Sequence, residues 1–264
     1  MDLLDARDIA ARLAPAAASV RVLARCGSTN AELLAQAFAA GSSDARPVVL
    51  ATEEQTAGRG RHGRRWHSAP GAGATFSILR RMRCAPRALA GLSLAAGVAA
   101  ARALRALGAA EASLKWPNDL IARGAKLGGL LVETRQQGRE TAAVVGIGIN
   151  CRASPPLAAR LRRRVAALDQ FVRPPLARNA VIGAVAREVL AALEAFERSG
   201  LPAFAAEWTA MHAHEGQRIR VRLADGSTVS GIAAGLARNG ALRLQTRAGW
   251  REVASGHVVS ARAA

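Results

Sequence analysis

At residue 214 the sequence changes its period. Beyond it, alternating segments such as RIRVRL and ALRLQT are separated by Asp225-Gly226, Asn239-Gly240, Ala248-Gly249 and Ser255-Gly256. Asn-Gly and Asp-Gly between alternating runs are strong hairpin signals, because the tight turns that match strand twist need positive φ. Four or five short strands over 214–264 therefore predict a small SH3-like barrel. Before that point, short apolar runs of β character alternate with alanine-rich stretches of helical period. The pattern predicts helices near 3–13, 29–40, 87–107, 156–163, 176–199 and 202–211. Strands are expected near 20–25, 47–53 and 73–82, with several short ones between 113 and 151. The chain is thus expected to be α+β, with a mixed domain over 1–213 and the barrel over 214–264.

Half of the 264 residues are apolar, enough for a core, and the net charge is +18. Such a charge ordinarily suggests nucleic acid. Here arginine is spread along the whole chain and is not gathered into one tail or helix face, so anionic small molecules such as nucleotides are the better expectation. Cys26, Cys84 and Cys151 are widely spaced and form no C-x-x-C or Cys/His cluster, which predicts reduced thiols in a cytoplasmic protein. Cys151 reads as a small core residue. The longest uncharged apolar stretch, 88–101, has 14 residues. A bilayer needs ~20, so this is expected to be a buried helix and not a membrane span.

Of the 37 basic residues only Lys115 and Lys126 are lysine, and both lie in KWPNDLIARGAKLGG. A lysine ammonium is a compact point charge with rotatable donors, which the flat guanidinium fork cannot imitate. The segment AGRGRHGRRW, 57–66, cannot form a stable helix or bury itself. It reads as a loop, mobile when empty, whose amides and guanidinium groups can close around a phosphate-rich anion. Trp66 anchors its end in a chain with few aromatics. In Lys115-Trp116-Pro117-Asn118-Asp119 the proline keeps Trp116 out of the α region and presents lysine, tryptophan, amide and carboxylate from a turn. Lys126 precedes a strand holding Gly128 and Gly129, and Gly146-Ile147-Gly148-Ile149-Asn150 repeats the device. Glycines in strands mark close approach of a ligand or another backbone. Ser28-Thr29-Asn30 opens a helix, and Thr29 with Glu32 has the capping-box spacing. No Walker loop, Ser/His/Asp set or redox-cofactor motif competes. The set suits a nucleotide triphosphate held beside a slender neutral ligand.

GRGR-x-G-R-x-W, KWPND, K-L-x-G-x-L-x-E and G-x-G-I-N, in this order and spacing, resemble the biotin protein ligase family over about residues 20–262. The resemblance implies a mixed sheet with flanking helices, like that of class II synthetases and the biotin and lipoate ligases. It also implies two reactions: biotin and Mg·ATP give biotinyl-5′-AMP, and a lysine of a biotin carboxyl carrier protein, that of acetyl-CoA carboxylase or a related carboxylase, takes the biotin. By the same resemblance Ser28, Thr29, Asn30 and Gln55 bind the biotin head. Gly58, Arg59, Gly60, Arg61 and Trp66 order over biotin and the adenylate. Lys126 contacts the carboxyl oxygen and α-phosphate. Gly129, Gly146 and Gly148 wall the slot. Arg59, Arg61, Arg64, Lys115, Asn118, Asp119, Lys126 and Asn150 serve ATP, with Asp119 toward Mg²⁺, and Arg59, Arg61, Asp119 and Lys126 are the catalytic set.

The chain departs from the family in three places. Only 27 residues precede Ser28, against the roughly 60 of an N-terminal winged helix in some members, so no specific DNA binding is expected. No tryptophan lies in 162–171 to cap adenine, and His62 stands where arginine is common. With two lysines, little self-biotinylation is expected. Sheet edges leave room for a homodimer. The nearest rival, a lipoate or octanoate ligase, carries an R-R-x-S-G-G-G run that this chain lacks. A basic nucleic-acid-binding module with an SH3-like tail is the non-enzymatic rival.

Overall fold

The structure, a computed structural model, describes residues 2–38, 46–161 and 164–262. The last two positions of the expected helices at 29–40 and 156–163 lie outside them. Seven strands form one mixed sheet: β1 (Ser19–Cys26), β2 (Val48–Gln55), β3 (Gly73–Met82), β4 (Ser113–Lys115), β5 (Asp119–Ala122), β6 (Ala125–Gln137) and β7 (Glu140–Asn150), in the order β1-β2-β3-β7-β6-β5-β4. Only β1 and β2 run parallel; the other neighbours are antiparallel. The several short strands expected between 113 and 151 are therefore two short ones and one long hairpin. Alternation explains why β6 and β7 run on. Ala143, Val145, Ile147 and Ile149 of β7 enter the large core, so the strand is held on that face along its whole length, glycines included.

That large core is completed by α1 (Ala6–Ala11), α3 (Leu92–Ala106), α5 (Arg178–Ser199) and α6 (Pro202–Met211). The opposite face carries α2 (Thr29–Gln36), whose Leu33 meets Leu50, Leu79, Ala142 and Val144 in a second, smaller core. A further helix, α4 (Pro155–Leu161), follows the sheet at the surface. The single helix expected near 87–107 is broken. Pro86–Leu89 is a 3₁₀ turn, and α3 begins only after Gly91, at φ +85°. A Cβ there would lie 2.6 Å from Leu201 Cδ2, so the close approach of α6 requires glycine. By length and composition Pro86–Ala106 could cross a bilayer, but its apolar face is spent on the core. Cys151 is fully buried, as expected, and burial pushes its thiol up to about 12.

The second sheet is antiparallel: β8 (Arg218–Arg222), β9 (Thr228–Leu236), β10 (Leu242–Thr246), β11 (Gly249–Val253) and β12 (His257–Arg262), in the order β11-β10-β9-β8-β12. The first three glycine dipeptides make the hairpin turns. Ser255-Gly256 does not, because β12 crosses over to pair with β8. This SH3-like unit shares the main core through Ile219, Val221, Leu242, Leu244 and Val258. Trp116, expected to be presented from its turn, is instead buried at the joint, and its Nε1 donates to the Gly240 carbonyl at 3.2 Å.

The most buried charge is Arg178, 1% exposed, which ties the N-terminal segment and β2 to α5. Its Nη1 donates to Glu53 Oε2 at 2.6 Å and its Nε to Asp2 Oδ1 at 3.2 Å. Burial pushes both carboxyls up, but hydrogen bonds and the charge of Arg178 outweigh it and hold both below their ordinary values. Groups with depressed folded pKa stabilise above their unfolded pKa and lose that contribution as pH falls. Arg178→Ala leaves two half-buried carboxylates unpaired and is expected to cost about 3–5 kcal/mol in urea denaturation. The wild type should lose part of this advantage between about pH 5 and pH 2.

Candidate active site

The α2-facing side of β7 reads Ala142, Val144, Gly146, Gly148, Asn150, and the paired side of β3 reads Leu79, Ser77, Thr75. The small core ends at Leu79 and Val144. Where side chains stop, a cavity of about 280 Å³ opens. Each glycine of its floor makes room for one of the protein's own side chains. A Cβ on Gly146 would sit 2.3 Å from Asn30 Oδ1, and one on Gly148 2.3 Å from Trp66 Cζ2. A Cβ on Gly129 would come within 3.3 Å of Lys126 Nζ and 3.5 Å of Asp119 Oδ1.

At one end lies a polar chain. Ser28, Thr29 and Asn30 are buried at the start of α2. Ser28 is the N-cap but makes no side-chain cap bond, and Thr29 already lies in the helix. The capping-box reading is thus overturned, because these side chains turn inward to one another and to the sheet. Ser77 Oγ donates to Asn30 Oδ1 at 2.6 Å, which leaves Thr29 Oγ1 to donate to Ser77 across 2.6 Å. The Thr29 amide donates to Gln55 Oε1 at 2.8 Å. Asn30 Nδ2 donates to Glu133 Oε2 at 2.8 Å, which also accepts from Arg59 Nη2 at 3.1 Å. Ser77 and Glu133 were given no role from the sequence. A polar residue at alternate positions of the apolar run GATFSILRR was the available signal.

The glycine-arginine segment is a short hairpin, not an open loop. The Gly60 amide donates to Arg64 O at 2.7 Å and the Trp66 amide to Gly58 O at 3.0 Å. A 3₁₀ turn at Arg61–Gly63 forms its tip, with His62 at φ +54° and Gly63 at φ +71°. Gly58 is needed because a Cβ would strike Trp66 O at 2.7 Å and Gln55 Nε2 at 2.9 Å. Trp66 then lies against Gly148, its buried Nε1 without a hydrogen-bond partner among the described residues.

Lys126 Nζ stands 5.8 Å from the Trp66 ring centroid and forms a short salt bridge with Asp119. Six cations line the cavity, Arg59, Arg61, Arg64, Arg65, Lys115 and Lys126, against the single carboxylate of Asp119. Burial pulls the Arg61 guanidinium below its ordinary value, opposed by Asp119 and assisted by Arg64. It still stays charged. The barrel reaches in as well, through Gly256, His257 and Val258. Burial lowers the His257 pKa, helped by Arg64, Arg222, Lys115 and His62. His257 was not among the site residues read from the sequence, because β12 reaches the cavity only by crossing to β8.

Two predicted residues spend their amides on backbone carbonyls, although Asn118 also lines the cavity. Asn118 Nδ2 donates to Leu130 O at 2.6 Å, which fixes the turn to β6. Asn150 Nδ2 donates to Lys126 O at 3.3 Å and Ala166 O at 3.0 Å, clamping the backbone that carries Lys126. Asn150 lines a second, smaller cavity of about 120 Å³ with Arg152, Leu157 and Val165. No three acidic, histidine or cysteine side chains gather into a metal-holding group among the described residues.

A floor without side chains, a polar head pocket and a cationic mouth define a domain that joins a small carboxylic acid to a nucleotide. The family model described as "Biotin/lipoate A/B protein ligase family" matches residues 23–150, and "Biotin protein ligase C terminal domain" matches 214–259. The biotin–[acetyl-CoA-carboxylase] ligase of Mycobacterium tuberculosis is 39% identical over 98% of this chain and 96% of its own length. The Escherichia coli bifunctional ligase/repressor BirA is 35% identical over 93% of this chain and 74% of its own. The structure of the Aquifex aeolicus biotin protein ligase in complex with biotin and ATP superposes with TM-score 0.74 and 26% identity, covering 93% of this chain and 99% of that one. The chain belongs to the biotin protein ligase family.

Gly148→Ala is expected to cost about 1–3 kcal/mol by forcing the Trp66 ring aside. The Trp66→Ala/Gly148→Ala pair should recover most of the glycine effect in a double-mutant cycle of urea denaturation.

Proposed function

We propose that this chain activates biotin with ATP and transfers it to a lysine of a carboxylase's biotin carboxyl carrier protein. The observation that carries the reading is the place of Lys126. It stands on the glycine floor between a neutral polar head pocket and a mouth of cations. The head pocket offers donors and acceptors without net charge, which suits the ureido ring. The slot beside Trp66 takes the apolar body, and the carboxylate then points to Lys126.

In the first step a biotin carboxylate oxygen attacks the α-phosphorus of ATP, and pyrophosphate leaves toward Arg61, Arg64 and Lys115. Lys126 offsets negative charge on the attacked phosphate, a preorganised electrostatic role. The Arg59–Arg65 hairpin covers the mixed anhydride and keeps water from it. In the second step the acceptor amine attacks the acyl carbon, an amide forms and AMP leaves; Asp119 is placed to take the amine proton. Magnesium enters as part of the ATP complex. Its phosphates supply most ligands, and Asp119, the one carboxylate lining the cavity, is the residue that would hold it. Asn150 places the adenine end toward the second cavity, where Leu157, Val165 and Arg152 stand in place of a capping tryptophan. Lipoate would lack partners for the Ser28–Asn30 and Gln55 groups. A cytoplasmic enzyme agrees with three free cysteines. A homodimer belongs to the same reading and is checked by sedimentation equilibrium.

ATP–pyrophosphate exchange with biotin, lipoate and octanoate in turn tests the assignment; biotin alone should support it, and exchange with either other acid would move the substrate. Lys126→Ala should fold yet lose about 10²–10³ in exchange rate; near-normal exchange would overturn its role. Because both lysines, Lys115 and Lys126, line the cavity, released adenylate should scarcely label the enzyme itself, as read by streptavidin blot without acceptor.

A further inference from the structure

We propose that Glu133 is the catch that holds the Arg59–Arg65 hairpin closed over the activated acid, and that it thereby sets how much anhydride escapes before the acceptor lysine attacks. The proposal rests on the biotin reading above and adds a positioning residue to it.

Packing holds the hairpin only weakly. Arg59, His62, Gly63, Arg64 and Arg65 are exposed, and the Gly60–Arg64 and Trp66–Gly58 bonds are internal to the hairpin. Arg65 Nη2 reaches Thr56 O at 3.4 Å, at the hairpin's own base. Between the hairpin and β6 lies an open space of about 500 Å³, with Leu131 and Glu133 as its β6 side. Across it Arg59 Nη2 donates to Glu133 Oε2 at 3.1 Å.

The receiving end of this contact is fixed. Gly129, Leu131 and Glu133 fall on the α2 face of β6 by the alternation of a strand. Glu133 pairs there with Val144, a residue of the small core. A carboxylate beside a buried valine needs a reason. Asn30, 3% exposed, donates from Nδ2 to the same Glu133 Oε2 at 2.8 Å and to Leu131 O at 3.2 Å. Its Oδ1 accepts from Ser77 Oγ. An amide hydrogen is satisfied by any acceptor, and the Leu131 carbonyl already offers one; a full negative charge at 133 answers Arg59. Asn30 therefore fixes one carboxylate oxygen, and the cationic arm of the hairpin closes on it. The contacts run unbroken from Gln55 through Thr29, Ser77 and Asn30 to Glu133 and Arg59, from head pocket to hairpin.

A single half-exposed ion pair contributes little to global stability. That weakness suits a catch, which must open to admit biotin and ATP and to let AMP out. Closure matters because of what the anhydride does in solution. It loses AMP to water and returns biotin, or loses AMP to any amine, which forms an amide on the wrong protein and gives a proton to solvent.

The test compares the full chain with Glu133→Ala, Glu133→Gln, Arg59→Ala and the Arg59→Ala/Glu133→Ala pair. With biotin and α-labelled ATP, adenylate release is timed by rapid gel filtration. Escape is scored as biotin on a lysine-rich bystander, serum albumin, per adenylate formed, a ratio independent of how fast adenylate is made. Glu133→Ala should raise release and this ratio by at least about tenfold, and the double variant should exceed Arg59→Ala by less than about twofold, the mark of one shared contact. Glu133→Gln keeps a neutral acceptor for Asn30 and should lie between. An unchanged ratio in Glu133→Ala overturns the proposal; should that variant not fold, an unchanged ratio in Glu133→Gln does so. Additive effects of Arg59→Ala and Glu133→Ala overturn it as well. A wild type without biotin-dependent exchange would instead sink the biotin reading itself, and the catch with it.

Discussion

Everything in the site depends on one steric constraint: on the α2 side of the sheet, side chains are withheld at Gly129, Gly146 and Gly148. A strand position without a Cβ is costly in isolation, because glycine loses more freedom on folding and packs nothing. Here the space is refilled at once. Asn30 occupies the room over Gly146, Trp66 that over Gly148, and the Lys126–Asp119 pair that over Gly129. The sheet therefore acts as a mould that fixes four side chains from four different segments within one cavity. The opposite side of the same strands, Val145, Ile147 and Ile149, is locked in the main core, so the mould cannot yield.

Charge is built on that frame. Six cations around one carboxylate would repel one another, and the pairs of Lys126 with Asp119 and Arg59 with Glu133 relieve part of this. The polyphosphate of the proposed substrate would complete the balance. The same arrangement explains why the cationic groups ride on a hairpin and a barrel edge while the neutral head pocket is built from helix and sheet. Hydrogen-bond donors for a neutral ligand must be held to a fraction of an ångström, whereas a Coulomb field tolerates displacement.

Much of this was legible beforehand. The period change at 214, the Asx-Gly turns and the resemblance carried by GRGR, KWPND and G-x-G-I-N located the two units and most of the lining. What escaped has definable causes. Local spacing made Thr29 and Glu32 look like a cap, but the buried Ser77 and the half-buried Gln55 compete successfully for the Thr29 side chain and amide. Gly91 hid inside an apolar helical run because its reason is a contact with Leu201, far away in sequence. Glu133 and Ser77 sat in strands whose pattern reveals burial but not which face holds the ligand. His257 entered the site through a strand crossover, which no local pattern encodes. Asn118, which lines the cavity, and Asn150, which does not, both spend their amides on backbone carbonyls.

The joint between the two sheets carries a consequence for how such a protein can change over time. Trp116 belongs to the KWPND segment, yet its ring and its Nε1 are held by the barrel, and Leu242, Leu244 and Val258 continue the core of the larger unit. The small β unit looks like a detachable module in the sequence. Physically it is a wall of the room in which the chemistry takes place. A lineage could not exchange it for another fold, or shed it, without also rebuilding the turn that bears Lys115 and Asp119. The two units are inherited as one object.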